Sequence, residues 1–197
     1  MVQKENHYEE LLDRVQKTST CRLFAHERLK AHHSASLWTI SCFSMGLVFI
    51  PLVHTFGLQS RFTLEYSSFI QVVLAIVILV ISIILNMTNF SVRADRIHRC
   101  GMQLNTLARR IHRHINDDSG ADTYDSLVKE YDDILQRYEN HSRIDYLYTK
   151  NHMTNYYKTP WYFSVYIRVL FIFQFLPYLL LLSLEVIWIW YLVTPVT

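Results

Sequence analysis

Two stretches of the chain carry no charged side chain for 22 residues each, Leu37–Leu58 and Phe69–Phe90. At ~1.5 Å of rise per residue each would make a helix of ~33 Å, enough to cross a hydrocarbon core of ~30 Å. The middle of the second, Val72 to Leu85, is dominated by Val, Ile and Leu. Both are expected to be transmembrane helices forming a hairpin. A third apolar stretch, Trp161–Val193, is interrupted by Arg168, Pro177 and Glu185. Trp161 and Tyr162 at one end, and Trp188, Trp190 and Tyr191 at the other, resemble two interfacial aromatic belts. The preferred expectation is one kinked span from about Arg168 to Tyr191, and a half-inserted hairpin turning at Pro177 is the alternative. Permanent spanning and insertion on activation both stay open at this level.

The polar sequence between the second and third stretches has a different period. Ile97, Cys100, Leu104, Leu107 and Ile111 are spaced 3-4-3-4, a heptad stripe. Asp117-Asp118-Ser119-Gly120 breaks it as a turn would, and Tyr124, Leu127, Tyr131, Ile134 and Tyr138 resume it. Two antiparallel helices follow, with complementary charge: Arg93 to Arg113 holds six Arg against one Asp, and Asp117 to Glu139 holds eight acids against Lys129 and Arg137. The N-terminal segment, with Leu11, Leu12, Val15, Leu23, Phe24 and Leu29, supplies a further helix. The expected fold is an all-α membrane protein. Its parts are an N-terminal cytoplasmic helix (1–36), a transmembrane hairpin (37–90, spans 37–58 and 69–90), a cytoplasmic antiparallel helical hairpin (91–158) and a C-terminal membrane helix (159–197).

Composition agrees with this picture. Hydrophobic residues make up 51% and charged ones 18%, with only 4 Gly and 4 Pro, which suits long helices. The first apolar run lies behind a long charged segment, so it reads as a retained span and not a signal peptide. Arg22, Arg28 and Lys30 precede the first span, and Arg93, Arg96 and Arg99 follow the second. The connector, Gln59–Ser68, holds only Arg61 and Glu65. The positive-inside rule then places both flanks in the cytoplasm and the connector outside.

No nucleophile elbow, P-loop or zinc-protease motif occurs. The three cysteines, Cys21, Cys42 and Cys100, lack metal or disulfide spacing. His112 and His114 are two residues apart and fall on different helical faces, and His98 lies about four turns from His112, so neither metal nor cofactor is expected. An enzyme is the last class to expect.

The polar residues within the spans say more. Gln71, Ala75, Ser82, Asn86, Asn89 and Arg93 recur at helical steps on the second span, and Ser34, Ser41, Ser44 and Thr55 follow a similar line on the first. A polar stripe facing lipid is costly. Gln71, Ser82, Asn86, Asn89, Ser41 and Ser44 are therefore candidates for lining a pore or for hydrogen bonding between helices, and both readings stand. The flanking Arg22, Arg28, Arg93, Arg96 and Arg99 are candidates for positioning against anionic lipid, or for docking an acidic partner or nucleotide. Direct nucleic-acid binding is not expected, because no aromatic-interleaved basic patch is present. Arg168 reads as an interfacial anchor, and Glu185 as an intramembrane acid that needs a partner or water.

R-L-F-A-H-E-R-L-K (Arg22–Lys30), the hairpin, R-A-D-R-I-H-R-C-G-M-Q-L-N-T-L (Arg93–Leu107) and Y-D-D-I-L-Q-R-Y-E-N-H (Tyr131–His141) together resemble the SLATT domains. These are two-membrane-helix effector domains of bacterial conflict systems. The likeness covers about residues 5 to 150 and leaves the third stretch as an addition to the two-span plan. It implies a homo-oligomeric effector in the bacterial inner membrane that forms a pore, or disrupts the bilayer, when a partner signals infection. The implied partner is a reverse-transcriptase-type protein or a nucleotide second-messenger synthetase. The family brings no catalytic residues. The alternative function is a non-conducting membrane anchor whose helical bundle recruits a cytosolic defence enzyme.

Overall fold

A computed structural model describes residues 7–56, 63–115 and 121–194. Among the described residues there are seven helices and no strand. They are α1 (His7–Thr55), α2 (Leu64–Thr88), α3 (Phe90–His114), α4 (Ala121–Arg137), α5 (Arg143–His152), α6 (Trp161–Gln174) and α7 (Leu176–Val193). Apolar windows long enough to cross a membrane lie in α1 and in the stretch opened by α2, and α6 with α7 passes the same test as a bent pair. The Asp117–Gly120 turn and Arg61 of the connector lie outside the described residues.

The chain divides into two compact units. A polar unit takes in the chain up to Lys30 together with Ser91–Phe171. Its core joins Leu11 and Val15 of α1 to Cys100, Leu104, Leu107, Ala108 and Ile111 of α3, and to Leu127 and Ile134 of α4. The heptad positions of α3 and α4 face this core because a 3-4 spacing keeps one side of each helix turned to its neighbours. Tyr124, Tyr131 and Tyr138 close the edge of the same seam. Each fully buried Leu or Ile contributes roughly 1.5–3 kcal/mol by leaving water. Opposite charges meet alongside: Arg110 pairs with Glu130 at 2.7 Å and Arg93 with Glu139 at 3.0 Å. That order, 93 with 139 and 110 with 130, is the register of an antiparallel pair.

Helix α5 is not anticipated in the expected two-helix hairpin of 91–158. Its start is written as S-R-I-D: Asp145 Oδ2 accepts from the Ser142 backbone N–H (2.9 Å) and from its hydroxyl (2.7 Å). An acid three residues past a capping serine in this way satisfies an orphan donor at the helix start.

The apolar unit takes in Ala31–Phe90 with Ile172 onward. Along α1 its buried positions are Ser36, Thr39, Phe43, Gly46, Ile50 and Val53, again a 3-4 spacing. Ile50 and Val53 pack with Leu74 of α2 and Trp188 of α7. Three boundaries differ from expectation. No break separates an N-terminal helix at residue 36 from a span at 37, since α1 runs unbroken through both. The second span starts at Leu64 and ends at Thr88, where Asn89 closes it. The third stretch is helical from Trp161 and breaks at Phe175, two residues before Pro177. Proline lacks an N–H and its ring crowds the carbonyl four residues earlier, so the helix yields ahead of it, and Pro177 then fits the first turn of α7.

Candidate functional site

The polar residues expected as one stripe on α2 part company in the structure. Gln71 and Ser82 lie on the half-buried side, and the Gln71 amide donates to the Leu47 carbonyl of α1 at 3.5 Å. Ala75, Asn86 and Asn89 are exposed. Asn89 has a structural task of its own. It holds φ 48° and ψ 39°, the left-handed conformation, and its N–H donates to the Asn86 carbonyl at 3.3 Å as it ends α2. It is the one non-glycine residue with positive φ among the described residues. Asparagine is among the few residues that tolerate this state.

On α1 the expected line of Ser34, Ser41, Ser44 and Thr55 is exposed. Ser44 and Thr55 donate to the carbonyls four residues back, at 2.8 and 2.9 Å. Hydroxyls satisfied by their own helix make no further demand on a neighbour. In the part of α1 that belongs to the apolar unit, the buried polar residues are instead Ser36 and Thr39, bonded to the His33 and Ala35 carbonyls at 2.7 and 2.8 Å.

Gly46 was not singled out in the sequence, although a glycine in the middle of a spanning helix is itself a packing signal. It is buried on α1, and a Cβ added to it would collide with Glu185 Oε1 of α7. The Glu185 carboxyl thus occupies the space a side chain would take. A cavity of about 200 Å³ on one side is lined by Phe43, Ile50, Leu74, Leu184 and Trp188 as well as by these two residues. On the other side a groove of about 670 Å³ runs past Cys42, Met45, Val48, Phe49 and Leu52. Arg168, on α6, is exposed.

Three of the five flanking arginines bind another segment of the polar unit. Arg22 is only 2% exposed and donates to the Glu139 carbonyl. Arg28 grips Asp145 with two nitrogens, and a single nitrogen of Arg93, Nε, donates to both carboxylate oxygens of Glu139. Arg96 and Arg99 are exposed, with Arg99 paired to Asp95 on its own helix at 2.9 Å. The α1 register signals the difference. Arg22 falls in line with the buried Val15, Ser19, Ala25 and Leu29, whereas a tally of charge cannot tell an inward arginine from an outward one. Around Arg22, burial raises the thiol pKa of Cys21 and of Cys100. Burial first, and then the Arg22 charge, hold His141 below its ordinary pKa, with Asp145 partly opposing. No three His, Cys, Asp or Glu side chains converge as a metal site among the described residues.

A helical seam continuous in sequence with apolar helices is an arrangement for placing charge and polarity at a membrane. Neither the curated proteins nor the solved structures contain a match to this chain. A family model does match, over residues 4–192, and it therefore takes in the third apolar stretch that the sequence likeness had set aside. The chain belongs to the SMODS and SLOG-associating 2TM effector domain family 5, a SLATT family, and is a membrane effector domain of that kind.

Proposed function

We propose that this chain is the pore-forming effector of a bacterial antiviral defence system of the abortive-infection type, acting as a homo-oligomer in the inner membrane. Its N-terminus and polar unit lie in the cytoplasm, where the arginine-rich flanks α1 and α3 begin and end. A cytosolic partner signals infection to the polar unit. The family description points to SMODS and SLOG proteins as associates, and a nucleotide second-messenger synthetase or a reverse-transcriptase-type protein is the class of partner proposed. On that signal copies of the chain assemble, and α2 with the exposed serine side of α1 lines a conducting path.

The observation that carries this reading is the exposure of α2. Of its 25 residues only Ser67 is buried, and Asn86 is exposed near its end. Lipid can cover the Val, Ile and Leu sides of such a helix, but an amide in lipid goes unsatisfied at a cost. Other copies, or water between them, satisfy it.

The test is membrane potential and dye entry in bacterial cells during controlled expression, with and without the partner. The wild-type chain depolarises cells on the signal, and Asn86→Leu inserts normally yet does not. Depolarisation by Asn86→Leu equal to wild type sinks the pore assignment. An intact potential in the wild type, with a polar unit that still captures the partner, would make the chain a scaffold.

A further inference from the structure

We propose that Glu185 is a proton-binding site: its carboxyl is held protonated on the bare backbone of Gly46, open to hydrophobic reagents through the adjoining groove. The first ground is isolation. Along 37–55, 66–88 and 176–193 Glu185 is the only Asp, Glu, Lys or Arg; Glu65 stands in the first turn of α2, and Arg168 of α6 is seventeen residues before Glu185 in sequence. A second copy of the chain therefore brings no basic side chain from these segments to pair with it. Among the described residues no hydrogen bond or ion pair reaches its carboxyl. An ionised carboxylate in such surroundings costs several kcal/mol, and the usual outcome is that the group neutralises.

The second ground is fit. Gly46 leaves room for the carboxyl, and the walls around it are apolar side chains such as Phe43, Ile50, Leu74 and Leu184, with the indole of Trp188. From α1 the groups facing the site are Cys42 and Ser44, and α2 offers no titratable group there. A proton is the one counter-charge that needs no added side chain. The outer groove, about 670 Å³ and apolar apart from Cys42, Ser44 and Glu185, is large enough for a small hydrophobic molecule.

Loss of the proton would leave a lone charge on the seam where α1 and α7 touch. The α1–α7 contact is thus a proton-controlled element, and this holds whether or not the unit conducts.

The probe is dicyclohexylcarbodiimide, applied to the full chain in membrane vesicles without any trigger. A protonated carboxyl adds across one C=N bond. Its proton goes to nitrogen and its oxygen to the central carbon, and the acyl group then migrates from oxygen to nitrogen as a stable N-acylurea with nothing lost. Mass spectrometry of the digested protein is expected to place the adduct on Glu185, and Glu185→Gln is expected to lose it. An infrared spectrum gives a second readout, the carbonyl stretch of a protonated carboxyl at neutral pH, present in the wild type and reduced in Glu185→Gln. A Glu185 peptide free of adduct under excess reagent, or a wild-type spectrum lacking that band, overturns the proposal.

Discussion

Arg28 holds Asp145 by two parallel hydrogen bonds, Nε to Oδ1 at 2.8 Å and Nη2 to Oδ2 at 3.0 Å, and the carboxylate is 1% exposed. The same carboxylate starts α5 through Ser142, so one buried acid joins α1 to the first turn of α5. Removing one partner strands the other charge away from water, and Asp145→Ala is expected to cost about 3 kcal/mol. The Arg93–Glu139 pair is made by one nitrogen, Nε, shared between the two carboxylate oxygens, and is 43% and 38% exposed. Water and salt screen it, and Arg93→Ala is expected to cost about 1 kcal/mol or less. Thermal unfolding of the detergent-purified protein separates the two. Equal losses would show that burial does not set the strength of these pairs.

Asn89 ends α2 with positive φ, and its replacements sort by backbone freedom before any question of polarity. Glycine reaches this conformation without strain, so Asn89→Gly is expected to unfold with the wild type or within a few tenths of a kcal/mol. Asn89→Val places a branched Cβ against a carbonyl and is expected to lose about 1–2 kcal/mol. A Val variant as stable as the Gly variant would mean that the helix ends differently in the membrane. Asn89→Gly is also the clean way to remove this amide in a conductance assay, because it leaves the turn intact.

The seam of α3 and α4 was legible because one side of each helix is buried and the other wet, so the period appears in the sequence as Ile97, Cys100, Leu104, Leu107 and Ile111. In the apolar helices that contrast fails. Lipid and protein both accept Leu, and the buried line of α1, Ser36, Thr39, Phe43, Gly46, Ile50 and Val53, mixes small residues that permit close approach with apolar ones that lipid would accept as well. Ser41 and Ser44 stand out in a reading for polarity yet lie exposed, since a serine hydroxyl can be satisfied within its own helix. The inward Arg22 and Arg28 were hidden for a related reason. Position beneath a span explains an arginine well enough that its register in α1 went unused.

His141 ties the polar unit to pH. Its pKa is lowered from the ordinary 6.5, first by burial and then by the Arg22 charge, against a smaller opposing pull from Asp145. Below about pH 6.5 the unfolded chain therefore takes up a proton that the folded state resists. The stabilisation is full above that point. It is expected to fall as pH drops through 6.5 and to level off only below the folded pKa. Unfolding midpoints between pH 5 and 8 check this in wild type and His141→Gln, the difference between them isolating His141 from the other histidines. Parallel curves would remove His141 from the account.

Gly46 and Glu185 share one volume, and size should decide how far that matters. A methyl group at residue 46 meets only the outermost carboxyl oxygen, since Glu185 Cδ and Cγ stand at 3.4 and 3.6 Å from it, ordinary contact distances. Rotation of the carboxyl clears the clash, and alanine favours the helix by about 1 kcal/mol over glycine. Gly46→Ala is therefore expected to match the wild type within about 1 kcal/mol. Gly46→Leu cannot be accommodated by rotation of the carboxyl alone, and it is expected to cost about 2 kcal/mol or more as an overpacked contact. In a Glu185→Ala background the leucine gains the vacated space, so the double variant should be more stable than the sum of the single losses by about 0.5–3 kcal/mol. Thermal midpoints of the four proteins complete the cycle. Strict additivity would mean that the two residues do not meet in the membrane, and the site built on their contact would go with it.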